Sequence, residues 1–100
     1  MDIMADELQE RIEAGENVTR IDVREPYEHE EYNIGGQLIP LGSLPVRLNE
    51  INPDKDAEIV MYCRSGGRSG MAKQFLEQNG YKNVRNLVGG MLEWQRRFGS

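Results

Sequence analysis

The sequence has one cysteine, Cys63, and the six positions after it hold two arginines, two serines and two glycines: Arg64, Ser65, Gly66, Gly67, Arg68 and Ser69. A cysteine that merely fills a core needs none of these neighbours. A loop containing Gly66-Gly67 can turn several backbone N–H groups inward and so make a concavity for an anion, and a helix starting there adds the preference of its dipole. The anion can be the cysteine's own thiolate. A free thiol has a pKa of about 8.5, and donors and cations at a helix N-terminus bring it down to roughly 3.5 to 7.5. Two guanidiniums contribute about 1 to 4 kcal/mol each at ~4 Å, according to exposure. The residues therefore suit a nucleophilic or sulfur-carrying cysteine that is ionised at neutral pH. It needs no histidine as base. The only one, His29, lies in the charged segment Glu28-His29-Glu30-Glu31, which reads as a solvated face. One cysteine and one histidine provide no chelating pair, so no metal is expected.

The elements around this loop follow from pattern. Glu58-Ile59-Val60-Met61-Tyr62 reads as a buried strand running into Cys63, and Met71, Ala72, Phe75 and Leu76 recur at helical spacing after it. Upstream, Met4, Leu8 and Ile12 form the apolar stripe of a first helix, with Gly15 as its left-handed cap. Val18 to Val23 alternates as a strand, and Pro26 suits the first position of a short helix through Tyr32. Gln37 to Leu41 is a short strand; Ser43 is placed to cap a helix whose inward residues are Leu44, Leu48 and Ile51. Downstream come a strand at Val84 to Val88, then Gly89-Gly90, then a last helix with Met91, Trp94 and Phe98 on one face. Gly89-Gly90 suits a turn. Strand and helix alternate throughout, which predicts a three-layer α/β domain with a mainly parallel central sheet flanked by helices, and sites in such folds lie at the carboxyl ends of strands. Cys63 and the Asp22-Arg24 pair both fall there.

Composition narrows the setting. One hundred residues suit one domain, 1–100, and a net charge of −5 argues against general binding to nucleic acid or anionic membrane. No apolar run approaches the ~18 residues of a membrane-spanning helix, and the polar start lacks the features of a secretory signal, so the cytoplasm is the expected compartment. Nothing demands more than a monomer. The acidic surplus lies mainly in the amino-terminal half, and no acid falls between Cys63 and Gln74, which predicts a locally positive loop.

Asp22-Val23-Arg24-Glu25-Pro26, then Tyr62-Cys63-Arg64-Ser65-Gly66-Gly67-Arg68-Ser69, then Gly80-Tyr81 and Gly89-Gly90 before Trp94, occur in an order that resembles the rhodanese domains, a group of sulfurtransferases. The resemblance runs from about Val18 to Phe98. Ile34 to Gly42 is most similar to rhodanese modules appended to enzymes that adenylate sulfur-carrier proteins, although the histidine and proline common in the family near Asn33 and Gly35 are missing. The resemblance implies that Cys63 takes sulfane sulfur from a small anionic donor such as thiosulfate, keeps it as a persulfide, and passes it to a thiophilic acceptor. That acceptor would be cyanide in vitro and a thiol or acceptor protein in the cell, with no cofactor beyond the covalent persulfide. It further implies that Arg64 attracts the donor, that Arg68, Ser65 and Ser69 stabilise bound sulfur or the loop around Gly66 and Gly67, that Asp22 ties a loop arginine in place, that Arg24 shapes the rim, and, as the alternative to a simple turn, that Gly89-Gly90 lets the chain pass close beneath the active loop.

Two rivals remain. A cysteine phosphatase or arsenate reductase also pairs a thiolate with an N–H cradle and an arginine, but its pattern has one residue more than the four between Cys63 and Arg68. The tighter ring suits a sulfur atom better than a tetrahedral phosphate. A persulfide carrier or binding module without turnover has the same fold and differs only in activity.

Overall fold

The computed structural model describes residues 1–99. Ile59–Tyr62 (β3) is buried at every position and lies between Arg20–Asp22 (β1) and Val84–Asn86 (β4). Gln37–Leu38 (β2) pairs with the far side of β1, giving the order β2-β1-β3-β4 with every pairing parallel. Parallel neighbours need long crossovers, which here contain helices, and one further helix lies before the first strand and one after the last. In chain order the helices are Ala5–Glu13 (α1), Pro26–Glu31 (α2), Leu44–Arg47 (α3), Gly67–Gln78 (α4) and Gly90–Phe98 (α5).

The two-residue period of β3 divides the core. Ile59, Met61 and Cys63 pack with Leu44 of α3 and with Ala72 and Leu76 of α4. Val60 and Tyr62 pack on the other face with Leu8 of α1 and with Met91 and Trp94 of α5. A strand covered on both faces is apolar at every position, which is why 59–62 shows no alternation. The result is the three-layer parallel α/β arrangement that the alternation of elements predicts. Among the described residues no helix is long and apolar enough to cross a membrane.

Several local expectations change. Ser43 caps nothing with its side chain: it already has right-handed helical geometry, at the end of a 3₁₀ turn over Leu41–Ser43, so its hydroxyl lacks the extended backbone from which an N-cap reaches forward. The helix expected from Leu44 to Ile51 is accordingly one turn of α3 followed by a second 3₁₀ turn, Leu48–Glu50. Met71 is 62% exposed and leaves the inward stripe of α4 to Ala72, Phe75 and Leu76. Phe98 is 39% exposed and lies edge-on to Trp94, with ring centroids 4.9 Å apart, covering that core residue from outside.

The carboxyl end of β3 is fixed by α5. The N–H groups of Met91 and Leu92, at the start of that helix, donate to the carbonyls of Cys63 and Arg64, both at 2.9 Å. Gly90 makes this approach possible: a Cβ on it would lie 2.5 Å from the Cys63 carbonyl oxygen and 2.6 Å from that of Arg64. Gly90 also has φ +58° and Gly89 +78°, so both expectations for Gly89-Gly90 hold together. The opposite end of the sheet is tied by charge. Glu58, just before β3, accepts from Arg11 of α1 at 2.6 and 2.8 Å and from Arg85 of β4 at 3.0 Å. The Arg11 hydrogen bonds, reinforced by Arg85 and opposed by burial, bring the Glu58 carboxyl down to about 2.

Two predictions follow from these ends. Gly90→Ala should destabilise the protein by about 3 kcal/mol or more, because the left-handed cost adds to a clash with two fixed carbonyls. Gly15→Ala, at φ +85° with open surroundings, should cost only the conformational part, about 1–2 kcal/mol. Equal losses in denaturant unfolding would contradict the packing argument. At the other end, a carboxyl whose folded pKa is depressed stabilises the fold above its unfolded pKa and ceases to do so as pH falls through the folded one. Glu58→Gln should therefore cost about 1–2 kcal/mol at neutral pH. Its deficit against wild type should close between about pH 4.5 and about pH 2; a deficit unchanged at pH 2 would rule out the ionic account.

Candidate active site

Cys63 follows the last residue of β3 and is 1% exposed. Gly66, at φ +106°, stands at the N-cap of α4 and has no side chain with which to satisfy the first-turn N–H groups. The cysteine sulfur takes that place. Sγ accepts from the Gly66 N–H at 3.0 Å, from the Ser69 N–H at 3.3 Å and from the Ser69 hydroxyl at 3.2 Å. Because α5 holds the carbonyls of Cys63 and Arg64, the loop presents its amides to the sulfur and its oxygens to the helix behind. Burial pushes the thiol pKa up, but the Ser69 hydroxyl and the amides of Ser69, Gly66 and Ser65 pull it down further, and it settles below its ordinary value.

The remaining expected residues divide into two groups. Ser65 and Gly67 lie exposed on the outer turn of the loop. Arg64 is exposed and has no ion-pair partner among the described residues. Together with Arg24, Tyr27, Tyr32, Met91 and Leu92 it lines a recess of about 250 Å³ beside the loop. A larger recess, about 690 Å³, lies among Pro45, Val46, Ile51 and Tyr81 and includes none of the expected site residues.

Two expectations are corrected, and a third is narrowed. Arg68, expected to stabilise bound sulfur or the loop, faces α2, where it grips Glu28 through two hydrogen bonds of 2.8 and 2.9 Å and so braces the loop. Arg68 holds the Glu28 carboxyl down to about 2, with burial opposing and the Glu25 amide assisting. Asp22 ties no loop arginine. Fully buried, it receives the Arg24 guanidinium at 3.0 and 2.8 Å and the Arg24 amide at 3.0 Å, because the turn after β1 brings a residue two positions on back over the carboxylate while Arg68 is taken by Glu28. Arg24 is therefore a buried part of the rim, and it also donates to the Tyr32 carbonyl at 2.6 Å. Finally, the acidic segment is not uniformly solvated: His29 Nδ1 lies 2.8 Å from Asp22 Oδ2, and Glu28 and His29 are half-buried while Glu30 and Glu31 are exposed.

Sequence reasoning missed Glu28, His29 and Asn86. Asn86 ends β4; its Oδ1 accepts from the Ser69 hydroxyl at 2.6 Å and its Nδ2 donates to the Gly66 carbonyl at 3.1 Å. Its signal was a polar residue at the carboxyl end of the strand next to β3. Those of Glu28 and His29 were the unmet need of a buried aspartate and a loop arginine for partners.

Comparison with known proteins supplies the family. A rhodanese-like domain profile matches residues 4–97. A sulfurtransferase of Allochromatium vinosum is 40% identical over 96 residues, covering 95% of this chain and 88% of the relative. Thiosulfate sulfurtransferase PspE of Escherichia coli is 37% identical over 70 residues, covering 69% of this chain and 67% of the relative. The crystal structure of a rhodanese-related protein from Thermoplasma volcanium superposes with a TM-score of 0.85 at 31% identity, covering 99% of this chain and 94% of that one. Profile, Allochromatium vinosum relative and solved structure each span nearly the whole chain, and the chain belongs to the rhodanese family.

Proposed function

We propose that the chain is a sulfurtransferase that moves sulfane sulfur from a small anionic donor such as thiosulfate, through a persulfide on Cys63, to a thiophilic acceptor. The observation that carries this reading is the position of Cys63 Sγ as the acceptor of the free donors at the start of α4. Relatives named as sulfurtransferases support the same activity.

The thiolate attacks the outer sulfur of thiosulfate, the bond to the sulfonate breaks, and sulfite leaves with the electron pair. The outer sulfur of the new persulfide then carries the negative charge. Inward amides are preorganised donors for such a charge and need no rearrangement as it develops. Arg64, exposed and unpaired, supplies the positive spot that draws a dianion into an acidic protein. Arg68 and Glu28 strap the loop to α2, and Asp22 holds Arg24 in the wall of the recess. The acceptor, a cellular thiol or a protein cysteine, enters by that recess, which the exposed Tyr27 and Leu92 flank.

Incubation with thiosulfate should add one sulfur atom to the intact mass, cyanide should remove it, and Cys63→Ser should take up none; no adduct on wild type would sink the reading. Loading followed by no transfer to cyanide or thiols would instead point to a carrier. Arg64→Ala should raise KM for thiosulfate roughly fivefold, the weight of about 1 kcal/mol for an exposed charge, with stability within about 0.5 kcal/mol of wild type. A fall in stability without a change in KM would remove Arg64 from donor binding.

A further inference from the structure

Ser69 is fully buried, and its hydroxyl lies 3.2 Å from Cys63 Sγ and 2.6 Å from Asn86 Oδ1. A hydroxyl has a single proton to donate. The orientation of the Asn86 carboxamide is fixed by its other end, since the Gly66 carbonyl, 3.1 Å away, can only accept and must therefore face Nδ2. Oδ1 is then the end turned to Ser69, and it too can only accept. Two acceptors compete for one buried proton.

Resting on the persulfide reading above, we propose that the Ser69 proton follows the charge on Cys63 Sγ, and that Asn86 is the positioning residue that makes the second station available. As a thiolate Sγ is anionic and takes the charge-assisted bond. Once loaded, Sγ is the neutral inner sulfur of a persulfide and a weak acceptor, and the hydroxyl turns to Asn86.

The exchange suits a sulfur that must play two opposed parts. In loading, Cys63–S⁻ and thiosulfate give Cys63–S–S⁻ and sulfite: Sγ forms the new sulfur–sulfur bond and loses its charge. In discharge, the outer sulfur takes a proton from water, an acceptor thiolate attacks it, the sulfur–sulfur bond breaks with its pair returning to Sγ, and the acceptor leaves as the protonated persulfide. Nucleophilicity falls as a thiolate is stabilised, whereas the same stabilisation makes it a better leaving group. A permanent hydroxyl bond to Sγ would favour discharge at the expense of loading. With Asn86 opposite, the hydroxyl is satisfied in both states.

Removing Asn86 orphans a buried hydroxyl whenever Sγ is uncharged. Asn86→Ala should therefore lower the equilibrium constant for loading from thiosulfate against sulfite by about tenfold, the weight of one buried hydrogen bond. It should also lower the Cys63 thiol pKa, followed by ultraviolet thiolate absorbance. Both effects should vanish in a Ser69→Ala background. If Asn86 only buttresses the Gly66 carbonyl, its loss loosens the cradle and raises the thiol pKa with or without Ser69, and that result would overturn the proposal. An unchanged loading constant would do so as well, since the hydroxyl would then be following the outer sulfur. In wild-type protein labelled with carbon-13, the Asn86 carboxamide carbon should move downfield on loading, and should not in Ser69→Ala; no movement in wild type would refute the exchange even if Asn86→Ala fails to fold. Absence of any sulfur adduct would fail the persulfide reading, while the titration arm would still report on the shared proton.

Discussion

The site depends on the fixing of two carbonyl groups. Backbone at the end of a buried strand must place its oxygens somewhere, and those of Cys63 and Arg64 are taken by the first amides of α5. With the oxygens held behind, the loop can only turn its N–H groups forward. Gly90 is the residue through which this happens, since any larger one would hold the helix off. Position 90 thus belongs to the chemistry of position 63, although it touches only its backbone.

The electrostatics differ from what net charge and local charge suggest. The loop contains two arginines, yet Arg68 is matched by Glu28, and what lowers the thiol pKa against the cost of burial is a hydroxyl and backbone amides. Dipoles at hydrogen-bond distance act on one atom, whereas a guanidinium in contact with water is screened. Arg64 retains its charge for solution. Short-range donors lower the thiol pKa, Arg64 is left without an ion pair among the described residues, and Asp22, with His29 beside it, holds Arg24 in the wall of the recess.

The parallel sheet, its two covered faces and the position of Cys63 were legible because each rests on local pattern: an apolar run into a cysteine, glycines where a tight turn is needed, a helical stripe after them. What was not legible depends on pairing across the chain. Glu28 looks solvated in a run of acids and becomes half-buried only because Arg68 comes to it from forty residues away. Which arginine meets Asp22 is decided by the turn after β1, which brings Arg24 back over the carboxylate. Asn86 carries no pattern of its own. Its role comes from β4 lying beside β3, which strand order decides. The helix expected after Ser43 broke up for a local reason, the 3₁₀ turn that already holds the serine.

The sulfur occupies the place that a serine or aspartate side chain fills at the start of an ordinary helix. The bonds that make Cys63 acidic are therefore also the bonds that begin α4, and a donor that favours the ionised sulfur favours the native chain by the same amount. Many active sites hold their reactive groups in strained geometry. Here, among the described residues, no residue other than glycine has a positive φ. The bonds that lower the thiol pKa are made without such strain, and the same few atoms serve both the start of the helix and the acidity of the sulfur.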